Sequence, residues 1–208
     1  MTNTNSNPKR RKSSIVAADI VFDHARVEPT HCLANGLFRP IKRGKRAETP
    51  LDVTHPYKEN HTFRWQHETE RLCIQDQSVF LAVLYLASVP DRAIMVDANH
   101  PDAKMQEARN ALGLMLGAAD SACLMITTTA RELTNALGLA ISGPALTRIK
   151  ASLQRLAGVS FSIFPKGNDN PIWKSMLLSV VHIDGKNLLI GINPTLSKTL
   201  NEENAAKT

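Results

Sequence analysis

The sequence predicts an α+β fold, and two features of its apolar pattern indicate this. Apolar residues recur with the spacing of a helix in the segment that ends at residue 157, and after Gly158 they alternate with polar residues as in β-strands. Hydrophobic residues make up 43% of the 208 residues, which is enough for a buried core, but aromatic residues contribute only 5%. Aliphatic side chains and methionine must therefore fill most of that core.

A pair of helices joined by a short turn is predicted between residues 128 and 157. Thr128 or Thr129 is the candidate N-cap of the first helix, and Gly138 ends it. Pro144 suits the first position of the second helix, which stops before Gly158. A further helix, apolar nearly all round and therefore buried, is predicted over residues 76–87, with the acidic residue at 76 as its N-cap.

Strands are predicted on both sides of the helix pair. Asp184 and Gly185 form a typical hairpin turn between the last two strands. Residues 102–117 favour a helix by propensity, but their apolar part is equally typical of a strand. The predicted strands are residues 51–57, 61–67, 92–98, 123–126, 159–164, 174–183 and 187–193.

The order strand, helix, turn, helix, β-hairpin is that of a winged-helix domain. In such domains the second helix enters the major groove of DNA, and the hairpin, or wing, lies along the backbone. We therefore predict a winged-helix domain over residues 29–200. A disordered basic arm at 1–28 precedes it, and a flexible tail at 201–208 follows it.

The second helix of the pair, residues 144–157, has an apolar stripe and a basic face. Leu146, Ile149, Leu153 and Leu156 form the stripe. Its other side chains include the types that contact phosphates and base edges, with no acid among them. An ordinary amphipathic helix with a solvated face is the simpler interpretation. The predicted DNA-binding residues of this helix are Thr147, Arg148, Lys150, Ser152, Gln154 and Arg155.

Positive charge is segregated along the chain. Residues 1–48 carry ten lysines and arginines against four acidic residues, and residues 141–198 carry seven against two, whereas residues 49–140 carry seven against eleven. This distribution favours a polyanionic partner. The arm at residues 9–12 is either a solubilising tail or a DNA contact. Further predicted DNA-binding residues are Lys166 and Lys174 in the wing and Arg39, Lys42, Arg43, Lys45 and Arg46 in a loop.

Several other function classes are not indicated. The chain has neither a phosphate-binding loop nor a hydrolase motif, so we expect no enzyme activity and no cofactor. His55, His61 and His67 lie six residues apart rather than in close pairs, so no metal site is expected. With three scattered cysteines, no signal peptide and no long apolar run, we expect a bacterial cytoplasmic protein with no membrane partner.

Residues 31–57, HCLANGLFRPIKRGKR followed by LDVTHPY, closely resemble the start of RepC-type plasmid replication initiators of the IncQ plasmids. The resemblance continues more loosely to residue 198. It implies double-stranded DNA as partner, bound at repeated origin sites called iterons, with a plasmid helicase and primase acting next. It also implies two winged-helix domains, of which the first can dimerise. Nothing after residue 200 could form the second, so a fragment or a naturally short relative is expected.

The function predicted from the sequence is sequence-specific binding of double-stranded DNA at a plasmid replication origin. Two alternatives stay open at this point. The domain can be a dimerisation module of an initiator, with its basic helix meeting little DNA. It can also be a winged-helix transcriptional regulator, which has the same fold. Only the motif at residues 31–57 distinguishes an initiator from such a regulator in this sequence.

Overall fold

The computed structural model describes residues 36–41, 50–57 and 60–198. The predicted basic arm and flexible tail lie outside these residues. Four predicted DNA-binding residues also lie outside them, namely Lys42, Arg43, Lys45 and Arg46.

Four helices and eleven strands have both ends within the described residues, and residues 194–198 are also helical. In chain order they are β1 (Phe38–Arg39), β2 (Leu51–Tyr57), β3 (His61–His67), β4 (Leu72–Cys73), α1 (Ile74–Ser88), β5 (Ala93–Val96), α2 (Ala103–Ala111), β6 (Met115–Leu116), β7 (Cys123–Thr129), α3 (Ala130–Ala136), α4 (Gly143–Ala157), β8 (Ser160–Pro165), β9 (Trp173–Met176), β10 (Leu178–His182) and β11 (Asn187–Ile192).

The strands form two antiparallel sheets and one short parallel pair. The larger sheet has the order β2-β3-β8-β9-β6 and the smaller one the order β10-β11-β7-β5, while β1 pairs with β4. The hairpin predicted from residues 51–57 and 61–67 is confirmed. The α+β class is confirmed as well.

Apolar side chains pack on both faces of the four-stranded sheet. Leu124 and Ile126 of β7 belong to the main core, together with the aromatic residues of the five-stranded sheet. Cys123 and Met125, which alternate with them, face a smaller core that includes Leu112 just after α2. Helices α1, α3 and α4 contribute only to the main core, so α2 and α4 lie on opposite faces of this sheet.

The predicted strand at residues 174–183 is interrupted and serves both sheets. Its first part, β9, pairs with β8, and its second part, β10, pairs with β11. Between them, the N–H of Leu177 donates to the carbonyl of Val159 at 2.8 Å, and the carbonyl of Leu177 accepts from Asn193 at 3.2 Å. The prediction of one continuous strand was therefore wrong, because the backbone changes partners at this residue.

Helix α1 is buried, as predicted, but begins earlier than predicted. Cys73 is its N-cap, and Asp76 occupies the third helical position. The carboxylate of Asp76 accepts a hydrogen bond from the N–H of Cys73 at 2.8 Å. The prediction of Asp76 as the N-cap was wrong. An acidic residue is favourable both at the N-cap and in the first turn of a helix, so its presence in the sequence does not distinguish the two positions.

The remaining predicted elements are also defined. The ambiguous segment at residues 102–117 contains both a helix and a strand, α2 and β6, and Asp102 caps α2. Thr129 caps α3 by accepting from the N–H of Glu132 at 3.0 Å. Gly138 ends α3 with a φ of 64°, which glycine adopts at little cost. No helix in the described part of the chain is long and apolar enough to cross a bilayer.

Candidate nucleic-acid interface

Helix α4 is capped and packed so that one side faces the core. Ser142 accepts a hydrogen bond from the N–H of Ala145 at 3.3 Å and so fixes the start of the helix. Ile149, Leu153 and Leu156 are buried, and Leu146 at the start of the stripe is half-buried. The predicted apolar stripe is therefore confirmed.

The opposite side of α4 is open to solvent and carries no acidic residue. Four of the predicted DNA-binding residues lie exposed there, and we call this surface the α4 face. The hydroxyl of Thr147 donates to the carbonyl of Gly143 at 3.1 Å, which leaves its lone pairs available as acceptors. The α4 face consists of Thr147, Arg148, Lys150 and Gln154.

Two residues predicted to lie on this surface are buried instead. Ser152 is 0% exposed and Arg155 is 7% exposed. The Arg155 guanidinium donates to Oδ1 of Asp76 through Nη2 at 2.7 Å and through Nε at 3.1 Å. Its Nη2 also donates to the Ser152 hydroxyl at 3.1 Å. The prediction of an exposed Ser152 and Arg155 was wrong, because the buried arc of α4 is wider than its aliphatic stripe.

The ion pair between Asp76 and Arg155 joins α4 to the first turn of α1. Burial alone would raise the pKa of the Asp76 carboxyl. Hydrogen bonds from Arg155, from the N–H of Cys73 and from Ser152, together with the charge of Arg155, outweigh burial and hold the pKa of Asp76 below its ordinary 3.8. Asp76 is therefore a carboxylate at neutral pH, and the pair fixes α4 relative to α1.

Acid is expected to remove the contribution of this carboxylate to stability. Because the pKa of Asp76 is lowered in the folded chain, the carboxylate stabilises the fold above the unfolded-state pKa. That contribution disappears as the pH falls through the folded-state pKa. The difference in unfolding free energy between the native chain and Asp76→Asn should be constant above about pH 5 and shrink below about pH 4. Urea unfolding at several pH values measures it, and a pH-independent difference would contradict the assignment.

The other described candidates lie on different elements. Lys166 is exposed in the β8–β9 connection, where its N–H donates to the carbonyl of Asn60 at 2.8 Å, beside the end of the β2–β3 hairpin. Lys174 is exposed on β9. Arg39 is exposed on β1, opposite Cys73 of β4. Only the four residues of the α4 face are thus brought together on one element.

One exposed cation on the helix that precedes α4 had not been predicted. Arg131 lies in the first turn of α3, and its side chain is exposed. The helical period of α3 places residues 130, 133 and 134 on the buried side and residue 131 outside that side. This period could therefore have identified Arg131 as exposed. It is an additional candidate for a backbone contact.

His67, one of the three histidines weighed as metal ligands, makes contacts within the fold. Nδ1 of His67 accepts from the N–H of Glu70 at 3.0 Å, and burial is the main cause that lowers the pKa of His67. A Cβ at Gly158 would lie 2.5 Å from Nε2 of His67, so the glycine makes room for the ring. Among residues 36–41, 50–57 and 60–198, no three His, Cys, Asp or Glu side chains are grouped to hold a metal.

Comparisons with known proteins identify the family. The profile of Replication protein C (RepC) matches residues 19–206. The chain belongs to the RepC family. This membership supports a role in replication initiation, and it confirms the predicted RepC family. Among curated proteins, no sequence matches the chain.

Solved structures of RctB resemble the fold. The crystal structure of domains 2 and 3 of RctB is 11% identical over 86% of this chain, with a TM-score of 0.50. This chain spans 62% of that structure. A second crystal structure of RctB domains 2–3 is 13% identical, covers 83% of this chain and 58% of its own, and gives a TM-score of 0.46. The first likeness indicates a shared fold.

Proposed function

We propose that this chain binds double-stranded DNA sequence-specifically at the repeats of a plasmid replication origin, as a step in replication initiation. The observation that carries the proposal is the α4 face, where two cations and two polar side chains lie exposed on one capped helix. Arginine reads guanine and glutamine reads adenine in the major groove, and lysine contacts phosphate. Membership of the RepC family supports replication as the setting.

In this proposal the fold acts as a winged helix with α4 as its recognition helix. The exposed cations Lys166 and Lys174 would contact phosphates from the β8–β9 hairpin, and Arg39 would do so from β1. Lys42, Arg43, Lys45 and Arg46 are proposed as phosphate contacts from the sequence alone. Plasmid helicase and primase are the proposed downstream partners, and a homodimer is the proposed alternative assembly. No catalytic step is assigned to this chain.

Arg148→Ala is expected to weaken binding to origin repeats about ten- to a hundredfold, and to weaken binding to unrelated duplex much less. The reason is that a lost base contact costs roughly 1–3 kcal/mol, whereas non-specific binding depends on phosphate contacts. Fluorescence anisotropy with both duplexes at one salt concentration measures the two affinities.

Lys104→Ala is the matched control, because it removes one exposed cation from α2 on the opposite face of the four-stranded sheet. Its binding to both duplexes should match that of the native chain. Equal weakening of both duplexes by Arg148→Ala would make Arg148 a phosphate contact. No weakening of either duplex would exclude Arg148 from the interface and count against α4 as the recognition helix.

A further inference from the structure

A groove of about 850 Å³ opens between the two sheets, away from the α4 face. Its walls include Tyr57 and Trp173 of the five-stranded sheet and Met95 of β5. Ile172 and Lys198 also line it. The volume lies within the usual range of 300–1,000 Å³ for ligand sites, although the groove is open along one side.

Exposed apolar side chains lie at this groove. Met95 and Ile172 line it, and Leu116 lies opposite Trp173 in the sheet. These three side chains are between 37% and 52% exposed. Exposed apolar side chains around a groove indicate a surface that another protein covers.

The strands beside the groove are the outer strands of their sheets. β5 ends the four-stranded sheet and β6 ends the five-stranded sheet. Within the described residues, the outer side of β5 pairs with no strand, so its backbone N–H and C=O groups are available to an incoming strand. An exposed edge beside an apolar pocket is the arrangement by which many domains bind extended peptides.

The charge of the groove selects the kind of peptide. Lys198 lines it, and none of the described residues that line it is acidic. A partner segment that is apolar but carries a carboxylate would complement this surface. A purely apolar segment would lack the attraction to this exposed lysine.

We propose that this groove binds an extended, apolar, acid-bearing segment of a partner protein, which adds to β5 as a further strand. Its apolar side chains enter the groove between Met95 and Trp173, and its carboxylate pairs with Lys198. This interaction differs from the proposed DNA binding, because it does not use α4, and neither Lys166 nor Lys174 lines the groove.

The test uses the whole chain and a fluorescent peptide, Asp-Leu-Val-Leu-Val-Asp, blocked at both ends. Saturable binding in the micromolar range is expected. Replacing both acidic residues of the peptide with lysine should weaken binding roughly fivefold, as expected for an exposed ion pair. N-methylation of alternate amides should weaken it at least about tenfold, because the backbone hydrogen bonds to β5 are lost.

Leu116→Gly is the variant that separates docking from folding. Leu116 has a φ of 58°, which costs a leucine but not a glycine, so this variant should be at least as stable as the native chain. It removes one exposed apolar contact, and peptide binding should weaken several-fold. Ile183→Gly is the matched control, since Ile183 is similarly exposed just after β10, which forms the opposite edge of the four-stranded sheet from β5.

Three results would overturn the proposal. The first is no saturable binding of the unmodified peptide up to ~1 mM, the weak limit of specific recognition. The second is equal binding of the N-methylated and unmodified peptides, since the segment would then not pair with β5. The third is self-association of the chain that Leu116→Gly abolishes, since a second copy would then occupy the groove. DNA affinity should be the same for Leu116→Gly and the native chain, so failure here leaves the proposed DNA binding intact.

Discussion

Asp76→Ala is expected to destabilise the fold by about 3–5 kcal/mol, the usual cost of breaking a buried ion pair on one side. The substitution leaves the guanidinium of Arg155 buried without its main partner, since Glu70 is 3.8 Å away and largely exposed. It also leaves the N–H of Cys73 without its acceptor at the start of α1. Chemical unfolding measures the loss, and the transition should move to a much lower denaturant concentration.

Asp52→Ala provides the matched control for this prediction. Asp52 also pairs with an arginine, Arg64, but their side chains are 48% and 40% exposed. An ion pair of this kind contributes at most about 1 kcal/mol, because water screens and solvates both groups. Similar losses from the two substitutions would mean that the Asp76 pair does not fix α4. Arg155→Lys should fall between them, since lysine keeps the charge but not the two-pronged contact.

Reversing both cations of the α4 face, Arg148→Glu with Lys150→Glu, is expected to reduce affinity for any duplex by about a hundredfold or more at physiological salt. Both new carboxylates repel the phosphates, and loss of the Lys150 phosphate contact alone should lower the slope of log affinity against log salt by about 0.9. Both side chains are exposed, so the thermal unfolding midpoint should be little changed.

A salt titration of DNA binding, run beside a melting curve, distinguishes the possible outcomes. Lys104→Glu reverses an exposed cation on α2, and it should leave the slope as it is in the native chain. A double variant that binds DNA normally would place the duplex on another surface, such as the one carrying Lys166 and Lys174. A variant that melts early would show instead that the two cations stabilise α4.

The sequence predicts those parts of the fold that depend on local patterns. The hairpin at residues 51–57 and 61–67 has its predicted bounds, because alternating side chains specify a half-buried strand directly. Helix α4 also begins and ends near the predicted residues. Its limits follow from Ser142, Pro144 and Gly158, which act within one turn of the helix.

Arg155 shows why part of the candidate site could not be predicted. Its position next to the leucine stripe is compatible with either burial or exposure, and charge alone favours exposure. The residue that decides between them is Asp76, which lies on another helix and far away in the sequence. The same carboxylate was interpreted as a helix cap, which is a local role. A buried ion pair between distant residues leaves no periodic signal in either segment.

The prediction of one strand over residues 174–183 was wrong for a related reason. Apolar and β-branched side chains continue on both sides of Leu177, so the side-chain pattern gives no break. The change of sheet depends on which backbone groups accept and donate at that residue, and those partners are Val159 and Asn193. Side-chain patterning reports burial, but it does not identify the neighbouring strand.

The passage of the chain from one sheet to the other at Leu177 has a consequence for folding. The strands of the two sheets are interleaved along the sequence, with β5 and β7 lying between β3 and β8. Trp65 of β3 pairs with Phe161 of β8, and strands of the other sheet lie between these two residues in the sequence. Neither sheet can be excised as a contiguous fragment. Long-range pairing of this kind has a high contact order, so the two sheets should unfold in one transition and refold slowly.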